Sequence, residues 1–176
     1  RWLLELGHHP SSLCVAGDSA GGGLALATIL ACREQGLPLP ACAALFSPWT
    51  DLAATGNSLE SNDRRCAMFS ANGIRQARNL YVGEADPLDP LISPLFAELS
   101  GLPPLWIEVS DNEVLLDDST RLAAKARQAN VPVELRVWHD LPHVWQLFVE
   151  FLPEARQSLR LTADFIHRHL SKSPFN

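Results

Sequence analysis

No apolar run in this sequence is long enough to cross a bilayer. The most apolar stretch, Leu24 to Cys32, falls far short of the roughly 20 residues that a spanning helix requires. Clustered cations are absent too. Lys and Arg number 14 against 20 Asp and Glu, a net charge of −6, whereas phosphate binding needs cations gathered in patches. Nucleic acid is thereby excluded as a partner. The four cysteines, Cys14, Cys32, Cys42 and Cys66, form no C-x-x-C pair and have no histidine at zinc-ligand spacing. Neither a metal site nor a cofactor is expected. Each cysteine sits among apolar or small residues, where a free thiol behaves as a small hydrophobe. Reduced, structural thiols and a cytoplasmic location follow as expectations. There is no initiator Met, signal peptide, internal repeat or low-complexity tract. Arg1 runs directly into Trp-Leu-Leu-Glu-Leu, which reads as the last turns of a helix, so the chain is expected to start inside a fold.

What is present is a globular balance: 47% hydrophobic and 19% charged residues in 176, enough for one domain with its own core. After Gly7 and a turn at Pro10 to Ser12, Leu13 to Ala16 is apolar without alternation, the pattern of a strand buried on both faces of a parallel sheet. A Gly-rich turn, Gly17 to Gly23, leads into a helix reaching Gln35 and stopped by Gly36. Leu24, Leu26, Ile29 and Leu30 make that helix apolar nearly all round, hence buried. Further strands are predicted over Cys42 to Ser47, Leu105 to Val109 and Val133 to Trp138. Helices are predicted over Thr120 to Ala129, capped by Asp118 or Ser119, and over Glu154 to Leu170. Arg168, His169 and Lys172 fall at the C-terminal end of the last helix, where cations suit its dipole. The stretch from about Asp51 to Pro104 is polar and rich in Asn and Pro, with one helix near Ala71 to Tyr81. It reads as an excursion from the sheet that covers a site, its cap-like part spanning about 52–101. Alternating strand and helix imply a mostly parallel α/β sheet.

Gly17-Asp18-Ser19-Ala20-Gly21 fits G-x-S-x-G between a strand and a helix. That spacing suits a nucleophile on a sharp, strained turn, with Gly17 and Gly21 removing side chains that would collide. The helix N-terminus then faces the site, and the Ala20 N–H is the expected oxyanion donor. No Lys follows the glycines, which argues against a phosphate-binding loop.

A serine hydroxyl needs a histidine base, and the base needs a carboxylate. On such a sheet both follow the nucleophile in chain order and sit in loops after strands, at the carboxyl edge. His8 and His9 precede Ser19, and His167 and His169 lie on the terminal helix. His139 and His143 remain, and His143, further from the strand end and followed by Val144-Trp145, is preferred. The acid must come from the loop after the third strand. Asp117 and Asp118 suit a helix start, leaving Asp111 and Glu113.

These residues resemble the hormone-sensitive-lipase-like bacterial carboxylesterases of the α/β-hydrolase superfamily. The likeness rests on Gly17 to Gly22, on Ser47-Pro48-Trp49-Thr50-Asp51-Leu52, on Asp89 to Leu95, on Leu102-Pro103-Pro104 leading to Glu113 to Asp118, and on His143. Aligned without a gap from Leu102, the family's triad acid falls on Glu113. The resemblance implies the α/β-hydrolase fold and cleavage of short- to medium-chain acyl esters through an acyl-enzyme on Ser19, with dimers common. Asp18, Trp49, Met68, Phe69, Trp145 and Phe148 are candidates for substrate contact. The family also carries a cap segment, earlier strands and a His-Gly-Gly-Gly upstream. The sequence therefore resembles the C-terminal, catalytic portion of one such domain, with the upstream part as its natural complement, and is expected to be weakly active or inactive alone. The rival readings are a prolyl-oligopeptidase-like peptidase, a ligand-binding member without catalysis, and an inert fragment.

Overall fold

The computed structural model describes residues 1–170; Lys172, read above as a dipole partner, lies outside them. Four strands, β1 (Cys14–Asp18), β2 (Cys42–Phe46), β3 (Leu105–Ser110) and β4 (Val133–Trp138), form one sheet in the order β1-β2-β3-β4. Every pair is parallel, with Cys14 opposite Cys42, Ala43 opposite Leu105, and Leu105 opposite Val133. Among the described residues six α-helices accompany them: α1 (Trp2–Glu5), α2 (Ala20–Glu34), α3 (Ser58–Ser61), α4 (Ala71–Val82), α5 (Leu116–Gln128) and α6 (Pro153–His169). Among the described residues no helix is long and apolar enough to cross a membrane.

The two-residue period of a strand explains the layers. Ala43, Leu45, Leu105 and Ile107 point to one face, where Leu26, Ile29 and Leu30 of α2 and Leu122, Ala123 and Ala126 of α5 cover them. The intervening residues, Cys42, Ala44 and Trp106, face the other way and meet Phe165 of α6. A third cluster joins the excursion to the loop after β3: Leu59, Ala71, Ile74 and Val82 pack with Trp49, Val114 and Leu115. The segment between β2 and β3 carries α3, α4 and a 3-10 turn at Pro94–Phe96.

Several expectations are corrected. β1 is not buried on both faces. It is the outer strand of the described sheet, and Ala16 and Asp18 are exposed. Nor is α2 buried all round, since Leu24 is 62% exposed on the side turned away from the sheet. α5 begins at Leu116, earlier than expected, so Asp118 and Ser119 lie within its first turn and neither is its cap. Both are buried, and Asp118 instead accepts the backbone N–H groups of Thr50 and Asp51 at 2.7 Å each.

The elbow glycines also divide differently. A Cβ at Gly17 would stand 2.2 Å from the Gly21 carbonyl oxygen, so Gly17 is required. A Cβ at Gly21 would meet nothing within 4 Å, against expectation. The close approaches fall one and two residues later. Gly22 lies against Pro48, and a Cβ at Gly23 would sit 2.1 Å from the Trp49 carbonyl oxygen. These two glycines let α2 pack onto the chain leaving β2. Gly23→Ala is therefore expected to destabilise the fold by about 1–3 kcal/mol, as overpacking does. Gly21→Ala should be neutral or stabilising by up to about 1 kcal/mol, since Ala is the better helix former. Chemical denaturation of the two variants checks the contrast.

Candidate active site

Strand β1 ends at Asp18, and the chain turns at Ser19 into α2. Ser19 takes φ 53°, ψ −124°, outside the regions open to ordinary residues, as a nucleophile on a tight turn requires. Backbone bonds hold it there: its N–H donates to the Phe46 carbonyl at 2.9 Å, and its carbonyl accepts from Trp49 at 2.8 Å and Gly22 at 3.0 Å. Ala20 and Gly21, the first residues of α2, have no intrahelical acceptor for their N–H groups. Both are exposed. The dipole of a 15-residue helix points at that spot.

The loop after β3 delivers Glu113, which is fully buried. Its Oε1 accepts from the Ser110 N–H at 2.7 Å and from the Ser47 hydroxyl at 2.8 Å. Its Oε2 lies 2.5 Å from Nδ1 of His143, itself 2% exposed. The other ring nitrogen, Nε2, is buried without a hydrogen-bond partner among the described residues. Phe69 stands edge-on to the imidazole at 4.9 Å. The acid loop is tied to the excursion as well. Asn62 donates to the carbonyls of Asp111 and Glu113 at 3.0 and 2.9 Å, and the Ser58 hydroxyl donates to the Val114 carbonyl at 2.8 Å. The histidine loop is tied down by the Leu141 N–H donating to the Ser110 hydroxyl at 2.9 Å. Beyond His143, Gln146 donates to Ser158 at 2.9 Å and joins the buried Glu108 carboxylate, which also accepts from the Trp138 indole and Ser158.

The other candidate pair forms its own, separate contact. Asp111 bonds Nδ1 of His139 at 2.7 Å, and His139 is almost fully exposed. The Asp140 N–H and His139 hold the Asp111 carboxyl below its usual range, and Asp111 in turn raises His139. A pair so open to water gains little from its charges. His9 caps the turn before β1, at the opposite end of the sheet, and His169 packs on Phe165.

Beside the elbow a pocket of about 200 Å³ is lined by Ala20, Gly21, Gly23, Leu24, Trp49, Leu52, Tyr81, Leu91 and Ile92. Trp49 lines this cavity. Trp145 does not. It is fully buried against Leu141 and Ala155 and stacks on Trp138 at 5.6 Å, a core position. Phe148 and Met68 are partly exposed and Asp18 is exposed, all three away from this lining. The sequence reading gave no role to Ser47, which entered it only as the end of the second predicted strand and the first residue of the Ser47 to Leu52 string.

All four cysteines are free. Asp118, at the contact between α5 and the chain leaving β2, is disturbed by its burial. Desolvation pushes its pKa up to about 7, against the Thr50 and Asp51 N–H donors that favour the charged form. An acid whose folded pKa exceeds its unfolded value of 3.8 contributes stability at low pH, and that contribution is lost as pH rises toward 7. Asp118→Asn should flatten the decline in stability between about pH 4 and pH 7, measured by denaturant unfolding across that range.

Residues 1–147 match the family described as alpha/beta hydrolase fold. An acetyl-hydrolase of Streptomyces hygroscopicus is 41% identical over 94% of this chain and 56% of its own length. An esterase of Acinetobacter venetianus is 38% identical over 93% of this chain and 54% of its own. Among solved structures, an esterase from the bacterial hormone-sensitive lipase family superposes with a TM-score of 0.95 at 43% identity, covering 97% of this chain and 58% of that one. The esterase EstE5 gives the same TM-score and identity over 98% and 58%. The chain thus spans little more than half the length of the relatives it matches, and on its sequence, its parallel sheet and its elbow it belongs to the alpha/beta hydrolase fold family.

Proposed function

We propose that this chain carries the nucleophile, base and acid of a carboxylic ester hydrolase. The observation that supports the reading best is the buried Glu113–His143 pair, whose outer nitrogen is left without a protein partner. It stands at the same carboxyl edge of the sheet from which the Ser19 elbow projects. A buried nitrogen of this kind needs an explanation, and a proton arriving from the Ser19 hydroxyl supplies one.

The steps of this proposal are those of a serine hydrolase. Ser19 Oγ attacks the acyl carbonyl as His143 Nε2 takes its proton, and Glu113, accepting from Nδ1–H, stabilises the imidazolium. The Ala20 N–H and the α2 dipole receive the oxyanion. Collapse expels the alcohol, protonated by His143, and water drawn through the same imidazole then releases the acid from Ser19. The apolar pocket beside Ala20 takes the acyl chain, its size suiting short to medium chains. The names of the relatives, acetyl-hydrolase and esterase, agree with this class, as does an EstE5 structure soaked with p-nitrophenyl butyrate. The proposal extends to a cytoplasmic location, in keeping with four free thiols, to a homodimer, and to a complementary segment bearing further oxyanion donors.

In the natural protein that carries this sequence, a fluorophosphonate should label Ser19 and p-nitrophenyl butyrate should be turned over. Ser19→Ala should abolish labelling, and His143→Ala should lower kcat by on the order of a thousand-fold or more. Equal labelling of the Ser19→Ala variant would reject the reading. Because a Cβ at residue 21 meets nothing within 4 Å and the residue lines the pocket, Gly21→Val should shorten the acyl chain accepted. The ratio of kcat/KM for butyrate over octanoate esters should rise about tenfold, the scale of losing one or two methylenes of apolar contact.

A further inference from the structure

We propose that Ser47 is a positioning residue for the Glu113–His143 pair, an inference that rests on the catalytic reading above. Glu113 reaches its histidine across one more methylene than an aspartate would, and a longer arm has more ways to miss. Two donors remove that freedom. The Ser110 N–H and the Ser47 hydroxyl both bind Oε1, at 2.7 and 2.8 Å, and so turn Oε2 alone toward His143 Nδ1.

Ser47 is suited to that task by more than proximity. It is fully buried and follows β2, whereas Ser110 ends β3, so the carboxylate is gripped from two neighbouring elements. Its N–H donates to the Glu108 carbonyl of β3 at 2.7 Å, fixing the residue to the strand that precedes the acid loop. It also sits at φ 45° immediately before Pro48, a backbone state that neither a serine nor a residue preceding proline favours. Glycine would occupy that conformation with less strain. A hydroxyl at a place where the backbone prefers glycine points to a use for the hydroxyl.

Removing the donor has a definite sign. Without Ser47 the negative charge on Glu113 is shared less and its orientation is looser. A carboxylate with one donor fewer holds the imidazolium proton more tightly, and it also protonates more readily itself. Both effects shift the acidic limb of kcat/KM upward in pH.

The test compares Ser47→Ala and Ser47→Gly in the natural protein that carries this sequence, with p-nitrophenyl butyrate as substrate. Both variants should lose kcat by roughly ten- to a hundred-fold, the scale of a hydrogen bond to a charged group, with KM little changed. In both, the acidic limb should move up by about half a pH unit or more, and the low-field proton between His143 and Glu113 should shift in the NMR spectrum. Thermal stability should separate them, with the glycine variant melting above the alanine variant because it relieves the positive φ. A merely structural serine would make activity follow stability, so a glycine variant with recovered kcat overturns the proposal. So does a wild-type acidic limb in both. Glu113→Gln serves as the reference: if it retains full activity, the catalytic reading itself fails. If it is crippled while the Ser47 variants are normal, only the role of Ser47 falls.

Discussion

A carboxylate taken completely out of water must be met on every side, and the arrangement of this molecule follows from how Glu113 is met. Desolvating a charge costs far more than one hydrogen bond returns. Glu113 is tolerable in the interior because three donors reach it from separate elements: Ser47 after β2, Ser110 at the end of β3, and His143 after β4. Those elements are neighbours because the strands run parallel in chain order and release their chains at one edge. The parallel sheet is therefore what makes the buried ion affordable, and the buried ion is what orients the imidazole.

Among the described residues, four of the six non-glycine positions with positive φ, Ser19, Ser47, Asp140 and Val144, follow the carboxyl ends of strands at this edge. Ser19 at φ 53°, Ser47 at φ 45° and Val144 at φ 51° are non-glycine residues in the left-handed half of the map, and Val144 is β-branched, which makes it the least natural occupant. One is the proposed nucleophile, one touches the proposed acid, and one directly follows the proposed base. Each such residue costs on the order of 1–3 kcal/mol and persists only where its surroundings over-determine it. Here they do: Ser19 is pinned by bonds to Phe46, Trp49 and Gly22, Ser47 by Glu108 and Glu113, and Val144 by burial between His143 and the core tryptophan Trp145.

How much of this was legible in the sequence differs from residue to residue. The four strands and the long helices were, because apolar runs, Gly stops and turn residues are local signals. The elbow was legible as a motif, and chain order narrowed base and acid to two residues each. Residue chemistry preferred His143 but left the acid open, and only the family resemblance selected Glu113. Asp111 and Glu113 are separated by one residue and differ chiefly in burial, which depends on contacts with Asn62 and Ser47 far away in sequence. Long-range contacts also explain the errors. The apolar composition of β1 could not reveal its place at the margin of the described sheet, and Trp145 looks the same in sequence whether it lines a pocket or fills a core. Asp118 carries the composition of a helix start but faces Thr50 and Asp51 across the fold.

The open space around residue 21 has a consequence for how such a protein diversifies. Its neighbours are hemmed in, Gly17 by the Gly21 carbonyl of the same turn and Gly22 and Gly23 by Pro48 and the Trp49 carbonyl, so a side chain at any of the three strains the fold. Residue 21 lies among them yet is unconstrained, and it borders the cavity next to the serine. A single base change in a glycine codon yields alanine, valine or a charged residue. One genetic step at this position thus changes the lining of the cavity while leaving the surrounding architecture untouched.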